Sequence, residues 1–355
     1  MKDKISVRQI CFILIAYNAA AKMLLFPTAA ASAVGNALIF SALFNLVLQT
    51  VIIWSVSYLS SRTDKSFFEL LENTFGNVAA RVVYALFALY FLASAVMPLS
   101  EQQLLVHDSF YDTIPSLTVF LPFFIFSVYA GVKSFTNVGR CADMLLPVFV
   151  VCALSFLIMS VGEADFTNLL PVLKQPFGKV AGFSLSSTFR FSESAFLLMF
   201  MGHYKYKKGD SAKLTLSYAA GGLVVIALMA AFYSLYGALT PTRSFAISNI
   251  SVFFPVIGFI GRIDLFLVYA FDLVALFATV LNIQLSVHCL ALTFNKNLRI
   301  VYSVCINLAL LAVTIIFNNK FTVLHKIVGD WLWLPALLFA YVIPVLAWTL
   351  RRKNK

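Results

Sequence analysis

The chain has 355 residues, 61% hydrophobic and 12% charged, with a mean hydropathy of +0.91. Soluble domains are about half apolar and a quarter charged, so an ordinary soluble enzyme is excluded. At about 20 residues per membrane span the chain holds on the order of ten spans and no soluble domain of normal size, and the net charge of +11 is read first as membrane topology rather than as affinity for nucleic acid.

In chain order, apolar runs bounded by charge or turn residues predict spans at 10–33, 37–59, 82–105, 117–132, 144–161, 181–201, 214–239, 263–292, 300–317 and 331–350. Lys and Arg gather at Lys2, Lys4 and Arg8, in the 62–81 and 133–140 connections, at Lys205 to Lys213, at Lys296 and Arg299, and in the carboxyl-terminal Arg351 to Lys355. The other side keeps Lys174, Lys179, Arg243, Arg262, Lys320 and Lys326, a roughly three-to-one bias that predicts a multi-pass protein with both termini cytoplasmic. The amino-terminal basic residues, apolar run and Thr28 to Ala33 imitate a signal peptide; Lys22 interrupts that run, and the helix is expected to remain as the first span.

Ten spans divide into a first repeat over about 10–161 and a second over about 181–350, each starting on an opposite side, which is the parity of an inverted repeat. The chain then forms one all-α transmembrane domain, with its solute site near the midplane where helices one and six are broken. Span one carries Asn18, Ala19, Ala20, Ala21 and Lys22; span six carries Ser184, Ser186, Ser187, Thr188, Arg190 and Glu193. Small and hydroxylated residues satisfy backbone groups freed by unwinding, or else allow close helix packing.

Four ionisable residues fall deep within spans: Lys22, Arg190, Glu193 and Asp272. Each costs about 2.5–3.5 kcal/mol at a helix centre facing lipid, so all four are expected to face the interior, where two cations balance two acids. Arg190 and Glu193, at i and i+3, can pair on one helix face. Lys22 beside the break offers an ammonium to a ligand carboxylate, and its removal is expected to abolish binding without unfolding the chain. Asp272, with Thr279 a heptad later and Asn282 near, either takes a cation, proton or ligand amine or joins helices. Tyr90 and Ser94 offer hydroxyls at the middle of span three, facing a cavity or merely packing.

Glu101, His107, Asp108 and Asp112 crowd the outer end of span three, an acidic region that either attracts cations or is simply solvated. His107, His203, His288 and His325 are scattered without metal-ligand spacing. Cys11, Cys141, Cys152, Cys289 and Cys305 read as small core residues, and no catalytic motif is present, so neither cofactor, metal nor enzyme activity is expected. Ser66 to Phe75 reads as an amphipathic cytoplasmic helix, and 249–262, too apolar for a free loop and broken by Pro255, Gly258 and Gly261, as a lid or re-entrant hairpin over the outer mouth.

Lys4-Ile-Ser-Val-Arg-Gln9 before an apolar helix ending at Pro27, Phe191-Ser-Glu193-Ser-Ala-Phe in span six, and Phe254-Pro through Gly261-Arg-Ile-Asp264 together resemble the spore-germination permease family. These are the GerAB-type subunits of germinant receptors, within the amino acid-polyamine-organocation superfamily. The resemblance implies a LeuT-like fold of ten helices and a small-molecule site between helices one, three, six and eight. It also implies a germinant, often an amino acid, as ligand, and a second integral subunit and a lipoprotein as partners in the inner membrane of a bacterial spore. By position, Asn18 to Met23 matches the break of helix one, Ser184 to Glu193 that of helix six, and Glu193 the acidic residue there. Related permeases usually place glycines at the helix-one break where this chain has alanines and Lys22. Two other readings stay open: a proton-coupled amino-acid secondary transporter using Glu193 or Asp272, and a water or ion conduit.

Overall fold

The computed structural model describes residues 4–110, 113–171, 174–253, 263–318 and 320–352, and among these every regular element is helical. In chain order the helices are α1 (Val7–Ala20), α2 (Phe26–Val34), α3 (Leu38–Ser60), α4 (Phe67–Phe75), α5 (Asn77–Phe110), α6 (Ser116–Gly131) and α7 (Phe135–Glu163). They are followed by α8 (Phe177–Ser186), α9 (Glu193–Phe200), α10 (Asp210–Tyr236), α11 (Ala246–Ser251), α12 (Ile263–Phe294), α13 (Arg299–Phe317), α14 (Phe321–Ala336) and α15 (Ile343–Arg352). Among the described residues, seven helical stretches are long and apolar enough to cross a membrane, with α1 and α6 shorter. Spans one and six are the interrupted ones, as α1/α2 and α8/α9, five spans apart, which is the correspondence an inverted repeat requires.

Three boundaries differ from the hydropathy reading, each because a helix carries polar residues beyond or within its apolar run. The third span continues to Phe110, which places His107 and Asp108 on its last turns, and Glu101, inside the expected span, is fully buried rather than part of a solvated acidic end. The fifth begins at Phe135, extended by the polar turn holding Arg140 and Asp143. The tenth begins at Phe321, so His325 and Lys326 lie on a helix instead of in an outer loop, and a π-helical turn (Leu337–Val342) separates α14 from α15.

The amphipathic segment after span two is helical as expected. Ser66 Oγ accepts from the Glu69 N–H (3.3 Å), and the Glu69 carboxylate accepts from the Ser66 N–H (2.7 Å), a reciprocal cap that starts α4. Phe67, Leu70 and Leu71 bury its apolar face. Of the expected outer hairpin at 249–262, only 249–253 are described, the first three of them ending α11; residues 254–262, including part of the family-like stretch, lie outside the described residues. Between α7 and α8, Asp165 accepts from the Thr167 N–H (3.0 Å) and hydroxyl (2.6 Å), which holds its carboxyl below its ordinary value.

Two large apolar clusters form the core, and they divide at the broken helices. Ile10, Ile13, Leu14 and Tyr17 of α1 join Ala195 to Met201 in one, while Met23, Leu24 and Phe26 join Phe191 in the other. α10 runs against α1 and α3 at Gly221 and Gly222. A Cβ on Gly221 would stand 3.0 Å from the Ile15 Cα and carbonyl oxygen, and one on Gly222 would overlap Leu46. Only hydrogen side chains allow that approach.

Candidate functional site

A broken helix leaves carbonyls unpaired where it stops and N–H groups where it restarts. At the second break α3 meets both needs from residues one turn apart. Asn45 donates to the Ser184 carbonyl (2.9 Å) and to Ser187 Oγ (3.2 Å). Gln49, with its amide oxygen facing α9, accepts from the N–H groups of Glu193 (3.1 Å) and Ser194 (2.8 Å). Helix ten adds two contacts: the Tyr341 hydroxyl donates to the Phe191 carbonyl (2.6 Å), and Ser194 Oγ donates to Ala340 O within the π turn. The π geometry releases carbonyls from the ordinary ladder, so Ser194 satisfies one of them.

At the first break Lys22 turns back over the end of α1. Its ammonium donates to Glu193, to Asn18 Oδ1 and to the Asn18 carbonyl (3.3 Å), which uses all three of its N–H groups. Asn18 is fixed in turn by donating to the Tyr218 carbonyl (2.9 Å). Both charged side chains are 0% exposed, and the ammonium lies 4.5 Å from the Phe191 ring centroid. The cation therefore sits at the carboxyl-terminal, negative end of one half-helix and Glu193 at the amino-terminal, positive end of another, so both dipoles favour the arrangement. This replaces the expected Arg190–Glu193 pair: the unwinding between Arg190 and Glu193 sends their side chains apart.

Arg190 instead donates to Glu101 Oε1 (2.7 Å), and His325 Nε2 lies 3.2 Å from the same oxygen. Glu101 Oε2 accepts from the Leu25 N–H (3.4 Å), just before α2. One carboxylate thus ties helices one, three, six and ten on the α2/α8 side of the Lys22–Glu193 pair. On the other side Arg8 (3.2 Å) and Gln9 (2.8 Å) donate to Asp143 of α7, closing α1 against the fifth span.

Between the two closures is a cavity of about 30 Å³ lined by Tyr17, Ala21, Ser94, Phe189, Arg190 and Ser192, among others, room for about two waters. Around it and the ion pair, Glu193 Oε2, Ser94 Oγ and the Tyr218 hydroxyl are buried and make no well-formed hydrogen bond, the Tyr218 hydroxyl lying near Glu193. The Tyr90 hydroxyl lies near Ser94 and Ser192 but makes no well-formed bond. Buried polar atoms left unpaired cost about 1–3 kcal/mol each, and several in one place mark a site built for something else to complete.

The structure thus brings together Asn18, Ala21, Lys22, Tyr90, Ser94, Arg190 and Glu193 of the residues singled out in the sequence. Ala19 is buried in the packing of α1, and Ala20 ends that helix. Ser186, Ser187 and Thr188 are not directed at the cavity: their hydroxyls donate to the Phe183 (3.0 Å), Ser184 (3.1 Å) and Leu185 (2.8 Å) carbonyls of their own turn. Asp272 is apart from the cluster, buried with Oδ1 unpartnered on a different groove of α12. Thr279 donates to Gln102 Oε1 (3.1 Å), joining α12 to α5, and so is separate from the Lys22–Glu193 pair. Asn45, Gln49, Tyr218 and Tyr341 were not anticipated, and Glu101 and His325 were noted only as part of an acidic end and as a scattered histidine. Asn45 and Gln49, at i and i+4 in a span without charged residues, carried a readable signal of one inward polar face.

The whole chain can be set beside known proteins. The family model described as spore germination protein, a spore permease family, matches residues 4–322. The spore germination protein YndE of Bacillus subtilis (strain 168) is 25% identical over 173 residues, 48% of this chain and 48% of that protein, so the match spans about half the length of the curated relative. The fold is similar to that of Mhp1, a nucleobase-cation-symport-1 family transporter solved closed with bromovinylhydantoin bound (TM-score 0.61, 13% identity, 95% of this chain and 76% of that one). It is also similar to MhsT solved in complex with L-phenylalanine (TM-score 0.62, 11% identity, 98% of each chain). At such identities the likeness is one of fold, the LeuT-type transporter fold.

Proposed function

The chain belongs to the spore germination permease family, and from that premise we propose that it is the solute-sensing, permease-like subunit of a germinant receptor, binding a small zwitterion, an amino acid in the first instance, between its broken helices. The observation that carries this is the cavity beside Arg190, with the unpartnered oxygen of Glu193 and the hydroxyls of Ser94 and Tyr90 close by. Arg190 offers its guanidinium to a carboxylate, and Glu193 offers its free oxygen to an ammonium. Lys22 has no N–H left to give, so its role is to hold the Glu193 side chain in place. MhsT, of the same fold, is solved with an amino acid bound, which supports the solute class.

At about 30 Å³ the cavity is too small for an amino acid, so binding must displace one of the two closures, and that movement is the signal that reaches partner subunits, a second integral subunit and a lipoprotein. Both termini are cytoplasmic in this reading, in the inner membrane of the spore. A second reading, proton-coupled transport, is favoured by one observation: closures exist on both sides of the site, as alternating access requires.

Spores lacking this gene, scored for germination against single amino acids, sugars and nucleosides, test the reading. The expected result is loss of response to one amino acid, restored by the wild-type gene and not by Arg190→Gln. Survival of every response in a strain stripped of other receptors would overturn it, and saturable, pH-gradient-driven uptake by proteoliposomes of the purified chain would move transport to first place.

A further inference from the structure

A groove of about 1160 Å³ opens on the flank of the bundle between α6, α7 and α12, away from the solute cavity. Phe120, Phe123, Phe126, Leu276, Phe277 and Val280 make its walls apolar. Its lining changes character at one end, where Lys133, Asn137, Arg140 and Gln284 gather. That end is the one bearing the amino terminus, since Thr136 Oγ1 donates to the Lys4 carbonyl (3.0 Å). A smaller cavity adjoins it, shares Lys133 and Gln284, and adds Arg299.

Neither Lys133 nor Arg140 has an acidic partner among the described residues. Asp143, the nearest acid along α7, is committed to Arg8 and Gln9. The Lys133 ammonium lies 3.8 Å from the Tyr129 ring centroid, which holds it at the rim of the groove. Gln284, 2% exposed, donates to the Lys133 carbonyl while its Oε1 is buried without a partner, an acceptor waiting for a donor.

We propose that this groove is a binding site for one anionic phospholipid, its phosphate held by Lys133 and Arg140, a hydroxyl of its head group donated to Gln284, and its acyl chains laid along the aromatic wall. Charge complementarity selects the lipid: a basic rim at the end of an apolar trough matches a negative head on a hydrocarbon tail. Length agrees. The chains of one leaflet reach about 15 Å, half of a ~30 Å hydrocarbon core, whereas Asp272 lies about 18 Å along α12 from Gln284 at 1.5 Å per residue. The tails stop short of that acid. The site stands independently of the solute reading, since it shares no residue with the solute cavity.

The test uses the full chain with Phe126→Trp as a fluorescent reporter in the groove wall, against the parent with its native tryptophans, in phosphatidylcholine nanodiscs holding a small equal fraction of either brominated phosphatidylglycerol or brominated phosphatidylcholine. The expected result is severalfold stronger quenching of the reporter by the brominated phosphatidylglycerol, relieved by excess unlabelled phosphatidylglycerol and not by glycerol phosphate. Lys133→Gln with Arg140→Gln should reduce the two lipids to equal quenching. Equal quenching in the reporter chain with both basic residues intact overturns the proposal whatever the variants do, as does relief by glycerol phosphate alone, which would make the site one for a free phosphate.

Discussion

Lys22 and Glu193 are buried together where neither could remain charged alone. Separating two such charges from water is repaid only when each keeps its partner and its hydrogen bonds, and removing one partner of a buried pair costs about 3–5 kcal/mol. Lys22→Met is therefore expected to lower stability by that amount, contrary to the simpler expectation that it removes binding and leaves the fold untouched. Glu193→Gln should do likewise, and the double substitution should recover most of the loss, all read from thermal unfolding of the purified protein. Losses that simply add would show that the two charges are not coupled. Arg190 belongs to a different cycle: its partner is Glu101, so neutralising Arg190 together with Glu193 is expected to rescue nothing. The charges themselves were legible in the sequence because an ionisable residue in an apolar run is rare. Their partners were not, since Lys22 and Glu193 are 171 residues apart and no spacing rule reaches across that distance.

At the scale of the element, the breaks depend on neighbours. Unwinding at 187–192 strands backbone groups that α3 then satisfies from Asn45 and Gln49. Asn45→Ala and Gln49→Ala should each cost about 1–3 kcal/mol, the penalty of a buried group left without its bond. A surface serine such as Ser55 changed to Ala should cost far less in the same unfolding assay, and equal losses would deny α3 its supporting role. The position of both breaks could be read from small and polar residues inside apolar runs. Their supporting shell could not, because Asn45 and Gln49 by themselves say only that one face of a span is polar. Helix ten was the hardest element to bound: Asp330 and Lys326 dilute its hydropathy, and its π turn has no compositional mark.

Across the whole molecule, the cavity beside Arg190 lies between two closures of unequal kind. Glu101 and Arg190 form a knot out of water with the partly exposed His325 at its edge, whereas Arg8 with Asp143 is a pair in which the arginine side chain is 70% exposed. Exposed pairs contribute about 0–1 kcal/mol and buried ones far more when broken, so the buried knot is the firmer of the two. In a cysteine-free background, Ser94→Cys should react slowly with a membrane-impermeant thiol reagent added on the α2/α8 side. Adding Glu101→Gln should speed that reaction by an order of magnitude or more, and an unchanged rate would mean that the knot does not gate the site.

What the sequence determined by itself is the solvent and the architecture: composition excludes a soluble fold, run lengths supply the spans, and span parity with two interrupted segments supplies the inverted repeat. Those properties are local or periodic, and the bilayer enforces them residue by residue. What only the tertiary structure decided is which charge meets which. Pairing inside a low-dielectric core depends on distances of a few ångströms between helices remote in the chain, so it made Glu101, one of several acids at the outer end of span three, the centre of a knot and moved Glu193 from Arg190 to Lys22.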